Sequence, residues 1–125
     1  MNERFNAQYK NGDTSIGLNV AVFIFVDGGV TIAYCPALDL SGYGNTEAEA
    51  RLSFSEVARQ YIEYCVSKGT LLKDLEKHGW DVGKHSHMNS PYTLSMLRKN
   101  KTLRDIVENK DYSKYSENIT VPSMA

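Results

Sequence analysis

From Ile16 the chain alternates. The even positions Leu18, Val20, Val22, Ile24 and Val26 form one apolar face, and Ala21, Phe23 and Phe25 make the opposite face apolar toward the end. A strand that is apolar on both sides is covered on both, so residues 16 to 26 are expected as a central strand. Asp27-Gly28-Gly29 then reverses the chain. Val30, Ile32 and Tyr34 alternate with Thr31, Ala33 and Cys35 in a second strand that stops at Pro36, and the short loop fixes an antiparallel register. Leu38 to Ser41 is expected as a third strand. Upstream, Phe5, Ala7 and Tyr9 alternate before Asn11-Gly12, a dipeptide suited to a hairpin turn, which predicts a short first strand.

The period then changes to that of a helix. Ala50, Phe54, Val57, Ala58, Tyr61, Ile62 and Cys65 recur at three- and four-residue spacing and define one buried stripe from Glu47 to about Ser67. Thr46 with Glu49 three residues on makes a capping box, in which each side chain satisfies a backbone N–H that the first helical turn leaves free. Gly42-Tyr43-Gly44-Asn45 reads as the glycine turn that joins strand to helix. Gly69 suits the position after the helix end, Thr70 is placed to cap a short second helix from Leu71 to His78, and Trp80 is expected to close the core. Asp81 to Met88 is a weakly patterned strand returning to the sheet edge. After the break at Asn89-Ser90-Pro91, Leu94, Leu97, Leu103, Ile106 and Val107 predict two short helical pieces separated near Asn100, followed by a brief strand at Ile119-Thr120-Val121-Pro122. The whole reads as one α+β domain over residues 1–125. Its core spans 16–88, an antiparallel sheet with one long helix packed on a face, and a C-terminal helical tail spans 89–125.

Bulk properties narrow the classes. At 125 residues with 42% hydrophobic and 23% charged side chains, the chain suits a single globular domain able to bury a core without disulfides or metals. A formal net charge of −1 gives no overall attraction to nucleic acid or acidic membranes, so such binding would have to be local. The N-terminus has no apolar signal core and the longest apolar run, Val20 to Val26, is too short to span a membrane, which points to a cytoplasmic protein.

Several residues invite a chemical reading. His85 and His87, two apart, would face one way on a strand, but two ligands do not make a site, and His78 lies on another predicted element. No metal site is expected. Cys35 and Cys65 have neither the number nor the spacing of a disulfide framework, and both read as packed thiols. Asp27, Asp39, Glu47 and Glu49 raise the question of paired carboxylates holding magnesium as in nucleases, yet Glu49 is explained by capping, Asp27 by its turn and Glu47 by the helix dipole. The turn at Gly42 to Asn45 lacks a phosphate-binding signature. With no complete set of nucleophile, base and charge stabiliser, no catalytic, cofactor-binding or metal-binding residue is assigned, no cofactor is expected, and the protein is read as a binding protein rather than an enzyme.

Tyr34, Pro36, Leu38, Gly44, Thr46, Glu49 and Ala50 together resemble the core of the HicB-like antitoxin family of bacterial toxin–antitoxin pairs: a strand, Pro-x-Leu, a glycine-containing turn, Thr-x-x-Glu-Ala and a long helix. The resemblance covers roughly residues 16 to 80. It implies a partial RNase H-like fold and an antitoxin that docks on a HicA-like toxin, a small ribonuclease, and neutralises it by covering its active surface. It also implies homodimerisation through an uncovered sheet edge. The family includes stand-alone members, so an orphan regulatory or DNA-binding module is the alternative. HicB-like proteins often carry a C-terminal DNA-binding module of the ribbon-helix-helix or helix-turn-helix kind. Residues 91 to 125 hold Arg98, Lys99, Lys101, Arg104, Lys110 and Lys114 against four carboxylates, whose interspersed signs suit a solvated face more than a phosphate-binding stripe.

Overall fold

A two-residue turn sets the register of the sheet. Strand β2 (Ser15–Asp27) and strand β3 (Val30–Cys35) are joined by Gly28 and Gly29, both at positive φ (61° and 80°), the conformation that matches the twist of an antiparallel hairpin and that glycine adopts without strain. The computed structural model describes residues 6–9, 15–84 and 87–122. Strand β1 (Asn6–Tyr9) pairs antiparallel with the start of β2, as the alternation predicts. The Asn11-Gly12 turn expected between them lies outside the described residues.

The third strand sits two to three residues later than its pattern suggests. Strand β4 runs Leu40–Gly44, pairs with β3 from Cys35↔Leu40 to Thr31↔Gly44, and leaves Pro36 to Asp39 as the turn. Gly42 and Gly44 are therefore strand residues and not a turn. Their job is close approach: a Cβ on Gly42 would lie 2.1 Å from the backbone nitrogen of Phe54, and one on Gly44 would lie 2.4 Å from Cβ of Glu49. Helix α1 (Glu47–Lys68) can press directly on β4 only because those side chains are missing.

The helix itself starts as read. The Thr46 hydroxyl accepts the Glu49 N–H at 3.1 Å, while the Glu49 carboxylate accepts the N–H of Asn45, one residue earlier than the usual box, at 2.8 Å. Ala50, Phe54, Ala58, Ile62 and Cys65 are buried, with Val57 and Tyr61 half-buried beside them. Gly69 ends the helix in the left-handed conformation. Helix α2 (Leu71–Lys77) follows without a side-chain cap from Thr70. Trp80 is buried, and its indole N–H donates to the carbonyl of Ala37 at 2.8 Å, tying the end of α2 to the β3–β4 turn.

Residues 81–89 form two strands rather than one: β5 (Asp81–Lys84) and β6 (His87–Asn89) pair with each other, and β6 pairs with β1. Helices α3 (Thr93–Lys99) and α4 (Lys101–Asn109) meet at Asn100, where the split was expected. The last strand corrects the largest expectation. Strand β7 is not a four-residue ending but Ser113–Pro122, antiparallel to β2 through ten pairs from Ile24↔Ser113 to Ser15↔Pro122. The order of the seven-stranded sheet is β4-β3-β2-β1-β6-β5, with β7 beside β2 on its other edge.

Nor is the C-terminal third a tail outside a core of residues 16–88. Leu18, Val20, Val22 and Ile24 of β2 meet α1 and Ile119 of β7 in one cluster, while Ala21, Phe23 and Phe25 meet Leu103 and Ile106 of α4 in another. The sheet carries helices on both faces, as the two-sided apolar pattern of β2 requires. Among the described residues no helix is long and apolar enough to cross a membrane.

Candidate functional site

A chain of hydrogen bonds ties the β3–β4 turn to α4. Tyr34 comes from the end of β3 and is buried. Its hydroxyl donates to Oδ1 of Asp39 at 2.9 Å and accepts from Nδ2 of Asn100 at 2.9 Å, and Oδ1 of Asn100 in turn accepts the N–H of Leu103 at 2.9 Å. Asp39 holds a left-handed φ of 54°, a conformation that aspartate tolerates better than most residues because its short side chain bonds locally. Sequence reading found Asp39 without a partner. The partner is Tyr34, five residues away across the Pro36–Asp39 turn, the second half of which the apolar pattern assigns to the third strand.

Burial raises the Tyr34 hydroxyl to about 12, with Asp39 adding to the rise and Asn100 opposing it. At neutral pH the phenol keeps its proton and can serve as donor to Asp39 and acceptor from Asn100 at once. Asn100 is also the N-cap of α4, so one side chain fixes the start of that helix and its position against β3.

This chain forms one wall of an open cleft of about 650 Å³ between the β3–β4 turn, the C-terminal end of α2 and helices α3 and α4. Lys77, Lys99 and Lys101 line it against the single carboxylate of Asp39, together with His78, Tyr92 and Met96. His78 donates from Nδ1 to the carbonyl of Asp74 at 2.8 Å, which leaves Nε2 as the ring nitrogen available to other partners. Composition gave no hint of this site, because three lysines from three separate helices disappear in a net charge of −1.

The other residues considered from sequence are dispersed. Asp27 faces Lys110 at 3.5 Å, Glu47 pairs with Arg51 at 3.4 Å, Glu49 caps α1, and Asp39 bonds Tyr34, so the four carboxylates have four different partners. Among the described residues no group of three or more His, Cys, Asp or Glu is placed to hold a metal. His85, and the side chain of His87, lie outside the described residues. Cys35 and Cys65 are free thiols and buried, and burial pushes Cys35 up to about 12 and Cys65 upward. Neither is a thiolate at neutral pH, so neither is an activated nucleophile.

The basic residues after Pro91 split by location. Arg98, Lys99, Lys101 and Arg104 are exposed around the α3–α4 junction, where Arg104 donates to the carbonyl of Arg98 at 3.0 Å, whereas Lys110 faces Asp27. The two helices span 7 and 9 residues, and the buried side of α4 faces the sheet of its own chain.

Three strands lie at the outside of the sheet, β4, β5 and β7, and β4 and β7 present unlike edges. The outer side of β4 is met by α1, with the Tyr43 N–H donating to Oγ of Ser53 at 3.0 Å. Strand β7 has β2 on one side and, among the described residues, no strand on the other. Its Tyr115, Glu117 and Ile119 face α1, with Ser55 donating to Glu117 at 2.6 Å and the Arg51 guanidinium 3.9 Å from the Tyr115 ring centroid, while Lys114, Ser116, Asn118 and Thr120 are exposed. Comparison with known proteins returns no matching family model, no matching curated protein and no matching solved structure.

Proposed function

We propose that this chain is a HicB-like binding protein that docks on a HicA-like ribonuclease and neutralises it by covering its active surface, with no catalytic step of its own. What supports the reading most is the unit from β3 through α1, where the residues that carry the resemblance act together. Tyr34 and Pro36 end the strand and open the turn, Gly44 lets α1 approach β4, and Thr46 and Glu49 cap the helix that Ala50 seats in the core. A surface built on such a rigid strand–helix unit suits shape-specific recognition of a folded partner.

The free side of β7 supports self-association. On the side away from β2 the alternate, outward backbone groups of β7 favour pairing with a second strand, and two copies joined antiparallel through β7 form a closed two-fold dimer with a continuous sheet. Light scattering checks this: a dimer mass is expected at roughly tens of micromolar protein, a range suited to moderate affinity, and a monomer mass there contradicts it.

Co-expression tests the main reading. A short basic reading frame adjacent to this one, expressed alone, should arrest growth by degrading RNA, and this protein should restore growth and co-elute with the toxin. Absence of any complex with that product would overturn the reading. Exposed Arg98, Lys99, Lys101 and Arg104 favour a second reading, that of a DNA-binding regulator. Converting all four to glutamine should leave toxin binding intact; if the wild type binds operator DNA with a steep salt dependence that the variant loses, the second reading is the right one.

A further inference from the structure

We propose that the cleft between the Pro36–Asp39 turn and helices α2, α3 and α4 binds a free nucleotide, with its phosphates on Lys77, Lys99 and Lys101 and its base against Tyr92. This goes beyond the partner-binding reading and stands independently of it. Size is the first support. At about 650 Å³ the cleft falls within the roughly 300–1,000 Å³ span of small-molecule sites, and it is framed by four separate segments of the fold.

Charge is the second. The cleft gathers three ammonium groups and one carboxylate in a protein whose net charge is −1, and among the described residues none of the three lysines has a carboxylate within ion-pair distance. Lys77 and Lys99 stand in the last turns of their helices, where a cation suits the helix dipole. Lys101 does not have that excuse. It is the first residue of α4, where the dipole disfavours a cation, and the first turn of α4 has no acidic residue to offset it. Helix stability therefore does not account for Lys101, whereas a phosphate between α3 and α4 does.

The remaining wall suits a sugar and a base. Tyr92 is 41% exposed and Met96 is half-buried, giving an aromatic and an apolar surface for a flat ring. Asp39 uses Oδ1 for Tyr34, so Oδ2 remains to accept from a ribose hydroxyl or an exocyclic amine, and Asn100 retains a second amide hydrogen to donate. Because the hydrogen-bond chain through Tyr34 holds both groups in place, this polar pair is positioned before any ligand arrives.

Calorimetric titration of the full chain with ATP, inorganic triphosphate and a single-stranded oligothymidylate provides the test, with amide NMR shifts to locate the contact. Saturable binding of ATP at one site is expected, with shifts centred on residues 77–79 and 92–102. The double variant Lys99→Gln, Lys101→Gln should weaken ATP by about tenfold or more, as loss of charge-assisted hydrogen bonds implies. Tyr92→Ala should weaken ATP by at least about fivefold and leave triphosphate unchanged, since stacking on a base is what it removes. Both lysines are exposed, so the double variant should keep the wild-type unfolding midpoint, and Lys68→Gln outside the cleft should bind like wild type. No saturation by about 5 mM ATP, a free energy too small for a built site, would overturn the proposal. So would triphosphate binding as tightly as ATP, oligothymidylate binding without ATP binding, or equal losses from Lys68→Gln and the double variant.

Discussion

Helix α1 lies along one face of the sheet for 22 residues and seals it with Ala50, Phe54, Ala58 and Ile62, none of which exposes any surface. On the other face α3 and α4 bring only two hydrophobic side chains fully inside, Leu103 and Ile106, and are held by the hydrogen-bond chain from Asn100 through Tyr34 to Asp39. Clefts of about 650 and 340 Å³ remain along that second contact. The difference shows how one sheet serves two purposes. Apolar contact along α1 gives stability through a stripe with no exposed surface, and the open hollow of about 490 Å³ beside that helix lies at its margin against Glu117 of β7, whereas a short helix pinned by directional bonds leaves polar groups at the rim of a cleft. A helix of nine residues is too short to persist alone, so α4 depends on that pin and on its two buried side chains.

Breaking each contact in turn measures the contrast. The largest effect is expected on the α1 face: Phe54→Ala should cost about 3–5 kcal/mol, since it empties the centre of the cluster. Gly42→Ala should cost about 3 kcal/mol by forcing α1 off β4. Ile106→Ala on the other face should cost less, about 2 kcal/mol, because the thin cover there can relax. Denaturant midpoints at constant slope decide the order. If Ile106→Ala proves as damaging as Phe54→Ala, the two faces are equally committed to stability.

Next in size comes an alkaline effect centred on Tyr34. Its folded value, about 12, lies above the ordinary 10, so its contribution is complete below pH 10 and is lost as the pH rises toward 12, where the unfolded chain ionises first. Tyr115 and Cys35, also pushed up to about 12 by burial, and Tyr61, raised by burial and by its bond to Asp74, act in the same direction. Unfolding followed from pH 9 to 12 should show stability falling across that window, and Tyr34→Phe should flatten part of the fall. An unchanged slope in the variant would mean that the phenol is not held as described.

Asn100→Ala should cost about 1–2 kcal/mol, since it removes both the cap of α4 and the bond to Tyr34. Combined with Tyr34→Phe, the losses should fall short of additive, because the two substitutions break the same link. Strict additivity would separate the cap from the chain. The smallest effect is Thr46→Ala at about 1 kcal/mol: it removes one cap acceptor from α1 while the apolar stripe stays intact. An unchanged midpoint would mean that the cap adds nothing to a helix already fixed by packing.

What the sequence made legible was local. Thr46 and Glu49 are three residues apart, Gly28 and Gly29 are adjacent, and the stripe from Ala50 to Cys65 repeats within one helix, so each signal sits inside the element it specifies. The misplaced features all join distant residues or use ambiguous ones. Glycine marks turns and close helix–strand contacts alike, so Gly42 and Gly44 gave the wrong answer until α1 was seen against β4. Strand β7 is mostly hidden from pattern reading because Lys114, Ser116, Asn118 and Thr120 are exposed and Glu117 interrupts the covered face, leaving Ile119 as the one buried hydrophobic residue among the side chains described in the strand. The link from Asn100 to Tyr34 spans 66 positions, and the lysines of the cleft come from three helices, so neither has a pattern along the chain.

Amide hydrogen exchange on the isolated chain tests most directly the division between a sealed face and a pinned one. Amides of α1, β2 and β3 should exchange only through global unfolding, with a common free energy that follows denaturant. Amides of α4 should exchange through a smaller, local opening, and Asn100→Ala should lower their protection while leaving α1 unchanged. Equal protection of α1 and α4 in the wild type, or a parallel loss in both helices on substituting Asn100, would show that the two faces open as one unit and would contradict that division.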